Sequence, residues 1–197
     1  MSILADAKCR DERKRYIQLA QLGELIDIYQ VRNSMGVGRY YQCPNCGYEL
    51  QADLGIGIMF PSVYKDFMVK AKKGELGEEF KNLADRYSNG ALDVESVLAK
   101  CTVCGNYETV PDLTFYRRKI EPIPNDYGKW LSSVEEENGK YVVPWDLSEN
   151  YEKVKQYLHR CSKCDGKMEI LGEEELDHLV CPKCKTELTI TEMTLWD

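Results

Sequence analysis

Cys43-Pro44-Asn45-Cys46-Gly47 is one of four C-x-x-C stretches in this chain. The others are Cys101-Thr102-Val103-Cys104-Gly105, Cys161-Ser162-Lys163-Cys164 and Cys181-Pro182-Lys183-Cys184. Two residues between cysteines let both sulfurs of one turn reach the same ion, and a second such turn completes a tetrahedron. Read in chain order, the pairs form two sets of four. Cys43, Cys46, Cys101 and Cys104 make the first, and Cys161, Cys164, Cys181 and Cys184 the second. The expected cofactor is Zn2+, two ions per chain, each closed by four thiolates. Gly47 and Gly105 suit a turn that needs positive φ, and Pro44 and Pro182 fit its fixed φ.

Three other uses of these cysteines fit less well. The charged start, Met1 to Arg15, lacks an apolar signal core, which argues against a secreted disulfide framework. A thioredoxin-like motif comes once, not four times. Iron–sulfur clusters draw on more closely grouped cysteines. Cys9, the ninth, reads as a free thiol. The second set has sixteen residues between its pairs, within the range of such sites; the first has fifty-four, so a folded insert is expected there.

The stretches Tyr41–Tyr48, Lys100–Asn106, Arg160–Cys164 and Leu179–Cys184 resemble zinc-ribbon knuckles. The resemblance is confined to these motifs and implies a metal-stapled β fold. Ribbon-containing proteins include transcription factors, polymerase subunits, ribosomal proteins and adaptor modules, so the likeness carries no single activity.

The remaining pattern outlines an α+β chain of two zinc ribbons. Residues 1–38 hold an amphipathic helix over 10–31, with Ile17, Ala20, Leu22, Leu25, Ile26, Ile28 and Tyr29 at three- and four-residue steps. Residues 39–119 form the first ribbon. It carries a helical hairpin insert over 62–87, read as helices at 62–72 and 75–87 around Gly74. Residues 120–158 are a linker with a short helix over 149–158 capped by Ser148. Residues 159–197 form the second ribbon, with an acidic turn at Gly172–Asp177 and a closing strand from Leu188 to Trp196.

Of the 197 residues 43% are apolar, enough for a core, and no run is long enough to span a membrane. A cytoplasmic protein is expected. The formal charge is −7, and loading two Zn2+ on eight thiolates takes it to about −11. That weakens a nucleic-acid role, which needs a basic face. The basic candidates are Lys8, Arg10, Arg13, Lys14 and Arg15 on the N-terminal helix, and the run Arg117, Arg118, Lys119.

No catalytic motif stands in the chain, and the two histidines, His159 and His178, read as packing or hydrogen-bonding residues beside the knuckles. Thirteen tyrosines and three tryptophans suit protein contacts. The expected function is therefore a zinc-stabilised protein-interaction or scaffold module that is not an enzyme. The alternatives are a nucleic-acid-associated regulator and an enzyme with its site in the insert. The N-terminal helix also offers a route to a homodimer.

Overall fold

A computed structural model describes residues 36–57, 60–119 and 141–196. The expected N-terminal helix, Cys9 and most of the 120–158 linker lie outside these residues.

Chain order among the described residues begins with β1 (Gly36–Gln42) and β2 (Glu49–Leu54), followed by α1 (Phe60–Lys73) and α2 (Glu78–Arg86). Next come β3 (Ala91–Leu92), β4 (Ser96–Cys101), β5 (Tyr107–Pro111) and β6 (Phe115–Arg118). The last elements are α3 (Pro144–Asn150), β7 (Tyr151–Lys155), β8 (Met168–Ile170), the single turn α4 (Glu173–Leu176) and β9 (Thr189–Trp196). The strands make three antiparallel sheets of three, ordered β2-β1-β9, β5-β4-β8 and β3-β6-β7.

The first two sheets are copies of one design. In each, a central strand runs into a C-x-x-C turn and returns as a hairpin partner, β1 to β2 and β4 to β5. A distant strand that follows another C-x-x-C turn pairs on the central strand's other side. The registers coincide: Gln42↔Glu49 and Gln42↔Thr189 in the first sheet match Lys100↔Tyr107 and Lys100↔Glu169 in the second.

This changes the expected grouping. The closing strand β9 belongs with β1, not with the cysteines at 161 and 164, and β8 belongs with β4. The unit built from 36–54 and 181–196 encloses, in sequence, the unit built from 96–111 and 160–170. The helical insert therefore sits between the two units and not inside the loop of one ribbon. Its neck is closed by reciprocal backbone bonds, Gly55 N–H to Ser96 O at 2.8 Å and Ser96 N–H to Gly55 O at 2.9 Å.

The helices form where their stripes predict. α1 buries Phe60, Tyr64 and Ala71 and ends in Lys70, Lys72 and Lys73, which complement the negative end of the helix dipole. α2 opens with Glu78 and Glu79 and buries Phe80 and Ala84. Gly74 and Gly77, at φ 78° and 94°, turn the chain between them. The insert then packs on the third sheet and on Tyr141, Val142, Val143 and Leu147, giving the largest core among the described residues. A second core joins the two zinc-ribbon-like units, with Tyr41, Ala52, Leu98, Tyr107, Leu176, Leu179 and Leu188 all buried.

One expected helix is replaced. Residues 149–158 do not form a helix; α3 starts earlier, with Pro144 in its first turn, and stops at Asn150. The next five residues are β7, paired with β6. The stripe Tyr151, Val154, Tyr157 fits a helix, but β6 needs a second neighbour for its backbone groups, and tertiary pairing overrides the periodicity. Similarly, the acidic turn at 172–177 contains α4, where the Glu175 carboxylate accepts the Gly172 N–H at 2.9 Å.

Candidate metal centres

Each C-x-x-C turn closes with the same two backbone bonds, one of them from the first cysteine's N–H to the carbonyl five residues on. The N–H after the second cysteine donates to the first cysteine's carbonyl: Gly47 to Cys43, Gly105 to Cys101, Asp165 to Cys161 and Lys185 to Cys181, all at 2.9–3.0 Å. The donor residue has positive φ every time, 67° at Gly47, 72° at Gly105, 58° at Asp165 and 66° at Lys185. The two hairpin turns meet this demand with glycine, as expected. The two return turns meet it with Asp165 and Lys185, for which the sequence carried no glycine signal.

The structure brings the eight cysteines into two clusters, and the grouping differs from chain order. Cys43 and Cys46 join Cys181 and Cys184; Cys101 and Cys104 join Cys161 and Cys164. The four sulfurs of each cluster lie within 4.8 Å of one another. Close pairs are Cys43–Cys184 at 3.3 Å, Cys46–Cys181 at 3.6 Å, Cys101–Cys164 at 3.4 Å and Cys104–Cys161 at 3.7 Å. A disulfide needs about 2.05 Å. Sulfurs about 2.3 Å from a central ion at tetrahedral corners are about 3.8 Å apart. The clusters thus have the span of four-thiolate metal sites. The physical reason for the nested pairing is the sheet register: β9 and β8 can place their preceding turns only beside the central strand that each one joins.

The surroundings favour thiolate. Val103 and Cys104 both aim their N–H groups at Cys101 Sγ at 3.4 Å. The Cys104 N–H above all, aided by that of Val103 and by neighbouring thiols, outweighs burial and brings the Cys101 thiol down to about 6. The Thr186 hydroxyl and N–H, with Asn45 and Cys43, bring Cys184 down to about 5. Cys46 and Cys164 go the other way. The Tyr48 N–H pulls Cys46 down, but burial and the three neighbouring sulfurs push it up to about 12. At Cys164 the Gly166 N–H is likewise outweighed by the other three sulfurs and burial, again to about 12. Four sulfurs this close cannot all carry charge on their own, and a divalent cation removes the conflict. The donor set therefore fits two metal ions of the kind that thiolates select, with Zn2+ matching the all-sulfur, closed arrangement best.

Beyond the sulfurs, the two centres are braced differently. Around the inner cluster, Glu108 Oε1 accepts from Ser162 N–H at 3.0 Å, Ser162 Oγ at 2.8 Å and Asn106 Nδ2 at 2.8 Å. Despite a desolvation cost, the bonds from Ser162, Cys161 and Asn106 hold the Glu108 carboxyl below the usual range. Lys163 Nζ donates to Asn106 Oδ1 at 2.6 Å. Around the outer cluster, Lys183 Nζ lies over the Tyr48 ring, 5.5 Å from its centroid. Tyr107 ties the two units together, its hydroxyl donating to Val180 O at 2.9 Å and accepting from Val180 N–H at 3.1 Å.

Neither histidine enters a cluster. His178 is exposed and pairs with Glu187 at 2.9 Å. His159 is buried, edge-on to Tyr157 with ring centroids 4.9 Å apart. In the basic run, Arg117 is ion-paired with Glu152 at 2.7 Å, and Lys119 Nζ donates to Glu149 O. A carboxylate group that sequence reading missed lies at the neck of the insert. Burial above all, then repulsion within the Asp93, Glu95 and Asp112 group, raises Asp93 to about 6 and Glu95 to about 7. Asp93 and Glu95 are two residues apart, but Asp112 joins them only through the fold, where its N–H donates to Glu95 O at 2.9 Å. No helix among the described residues is long and apolar enough to cross a membrane. No family model, curated protein or solved structure matches this chain.

Proposed function

We propose that the chain is a zinc-stabilised interaction scaffold of the cytoplasm, without catalysis of its own, in which two structural Zn2+ ions lock paired ribbons and the insert is a packing element. The observation that carries this reading is the pair of closed four-cysteine clusters. A site filled by four sulfurs keeps no open position for substrate or water, so its contribution is to folding. The insert's interior is apolar, with Phe60, Tyr64, Phe80 and Leu92 buried together, which suits a structural role. Val103, 74% exposed at the tip of an inner-cluster turn, and Met193 and Leu195 on β9 are apolar groups presented to a partner.

The Arg117–Glu152 ion pair lowers the charge that the basic run offers to phosphates, so the protein-partner reading ranks above the nucleic-acid one. The test is capture from native extract by zinc-loaded protein beside Val103→Glu and a chelated sample. A partner lost on both changes supports the reading. Capture of nucleic acid with a steep salt dependence, or no capture at all, overturns it.

A further inference from the structure

We propose that the two metal centres are coupled, so that an ion held in one tightens the hold of the other, and that Tyr107 carries the coupling. The proposal deepens the two-ion reading and rests on it. The inner hairpin turn abuts the outer return turn: a Cβ added at Gly105 would stand 3.9 Å from Pro182 Cβ and 3.8 Å from Lys185 Nζ. Two residues on, Tyr107 is buried in the core that both units share, together with Cys43 and Cys181. Its hydroxyl meets both backbone groups of Val180, as donor at 2.9 Å and as acceptor at 3.1 Å. The outer return turn's own bonds skip that residue, running from Cys181 N–H to Thr186 O and from Leu188 N–H to Leu179 O. Tyr107 therefore fixes the residue directly before a cysteine of the outer cluster.

The residues on either side of Tyr107 serve the inner centre. The Asn106 carbonyl accepts the Cys101 N–H at 2.8 Å, and Asn106 Nδ2 lies 4.0 Å from Cys161 Sγ. Glu108 Oε1 accepts the Ser162 N–H at 3.0 Å. Successive side chains of a strand point to opposite faces, so Asn106 and Glu108 brace one centre while Tyr107 braces the other. A four-thiolate site is rarely formed ahead of its ion, because binding there is folding. With the inner cluster closed on an ion, the 101–106 turn is fixed and so is the reach of Tyr107, which holds Val180 and with it the turn of Cys181. The reverse holds equally, since coupling between binding sites is reciprocal. Tyr107 is thus a positioning residue that acts on the sulfurs through the turn bearing them.

The test strips zinc from the full, reduced chain with increasing chelator and counts two-, one- and zero-ion chains by native mass spectrometry. The single-centre variants, Cys43→Ser with Cys181→Ser and Cys101→Ser with Cys161→Ser, give the occupancy of each centre alone. Independent centres would make the wild-type populations the product of those occupancies. Wild type is expected to hold both ions up to about tenfold more chelator than that product allows, with one-ion chains correspondingly scarce. Tyr107→Phe keeps the ring and all eight cysteines, and is expected to raise the share of one-ion chains several-fold. That comparison needs no cysteine change, so it stands even where a single-centre variant does not fold. Wild-type populations equal to the product, or Tyr107→Phe with the wild-type share of one-ion chains, overturn the coupling and leave the two-ion reading intact. A wild-type chain that never carries two ions overturns that reading, and the coupling with it.

Discussion

The two zinc-ribbon-like units share a skeleton and differ in what holds it. The position that carries Leu50 in the outer unit carries Glu108 in the inner one, as the common register shows: Tyr41↔Leu50 and Ala99↔Glu108 are the same rung. Leu50 joins the core between the units, whereas Glu108 gathers hydrogen bonds from Asn106 and Ser162. The lysine in the middle of each return turn follows suit: Lys183 lies over Tyr48, and Lys163 bonds Asn106. One backbone and one arrangement of four cysteines thus tolerate an apolar brace or a polar one. The inner unit's own core is small, Ala99, Cys101, Cys161 and Met168. Its polar network of Glu108, Asn106, Ser162 and Lys163 stands where the outer unit has apolar packing.

The largest expected effect tests the pairing itself. Cys43→Ser with Cys181→Ser should remove one zinc, as should Cys101→Ser with Cys161→Ser, whereas Cys43→Ser with Cys101→Ser should remove both. Elemental analysis reads this directly, and one zinc retained in the last variant would falsify the nested grouping. Each lost ion removes on the order of 10 kcal/mol of apparent stabilisation, so calorimetry should show the affected unit unfolded.

Next come the braces. Leu50→Glu puts a charge into the shared core and should cost about 2–3 kcal/mol. Glu108→Gln weakens a half-buried charged acceptor and should cost about 1 kcal/mol. Urea midpoints give both, and equal losses would erase the distinction between the units.

The neck carboxylates give a pH signature. Glu95 is raised to about 7 in the fold from an unfolded value near 4.3. The folded chain holds this proton more tightly, so the contribution is full below about pH 4 and is lost as pH rises through about 7. Glu95→Gln should therefore gain on wild type as pH goes from 6 to 8, by roughly 1 kcal/mol. Taking the difference between the two proteins cancels the zinc sites' own pH dependence. A difference that stays constant across that range would sink the assignment.

The smallest effects lie at the turn residue of positive φ. An added Cβ at Gly47 meets nothing within 4 Å, and at Gly105 nothing nearer than 3.8 Å, so replacement by alanine there tests the backbone alone. Each should cost about 1 kcal/mol. Asp165→Gly and Lys185→Gly should stabilise by about 0.5 kcal/mol, the relief being partly offset by the freer unfolded chain. Thermal melts at constant zinc report all four.

Much of this was legible in the residues. The cysteine turns, the glycine conformation at 47 and 105 and both insert helices follow from local chemistry. The grouping of the turns was not legible, because it is set by which strand neighbours which. The duplication stayed hidden for a related reason. The hairpins come in the order outer then inner, and the return turns in the order inner then outer, so no constant offset relates the copies. β7 was missed because Tyr151, Val154 and Tyr157 satisfy a helical step, and only the need of β6 for a partner decides the matter.

The nesting also has a consequence in time. Cys43 and Cys46 emerge from the ribosome well before their partners at 181 and 184. At 5–20 residues per second the wait is on the order of 10 s. During it the second C-x-x-C turn appears, a ready but wrong companion for the same ion. A four-sulfur site joining residues 43, 46, 101 and 104 would be a trap on the way to the native chain. Escape from it would depend on how readily a bound ion exchanges between thiols, so the supply of free metal during synthesis would bear on the yield of correctly paired protein.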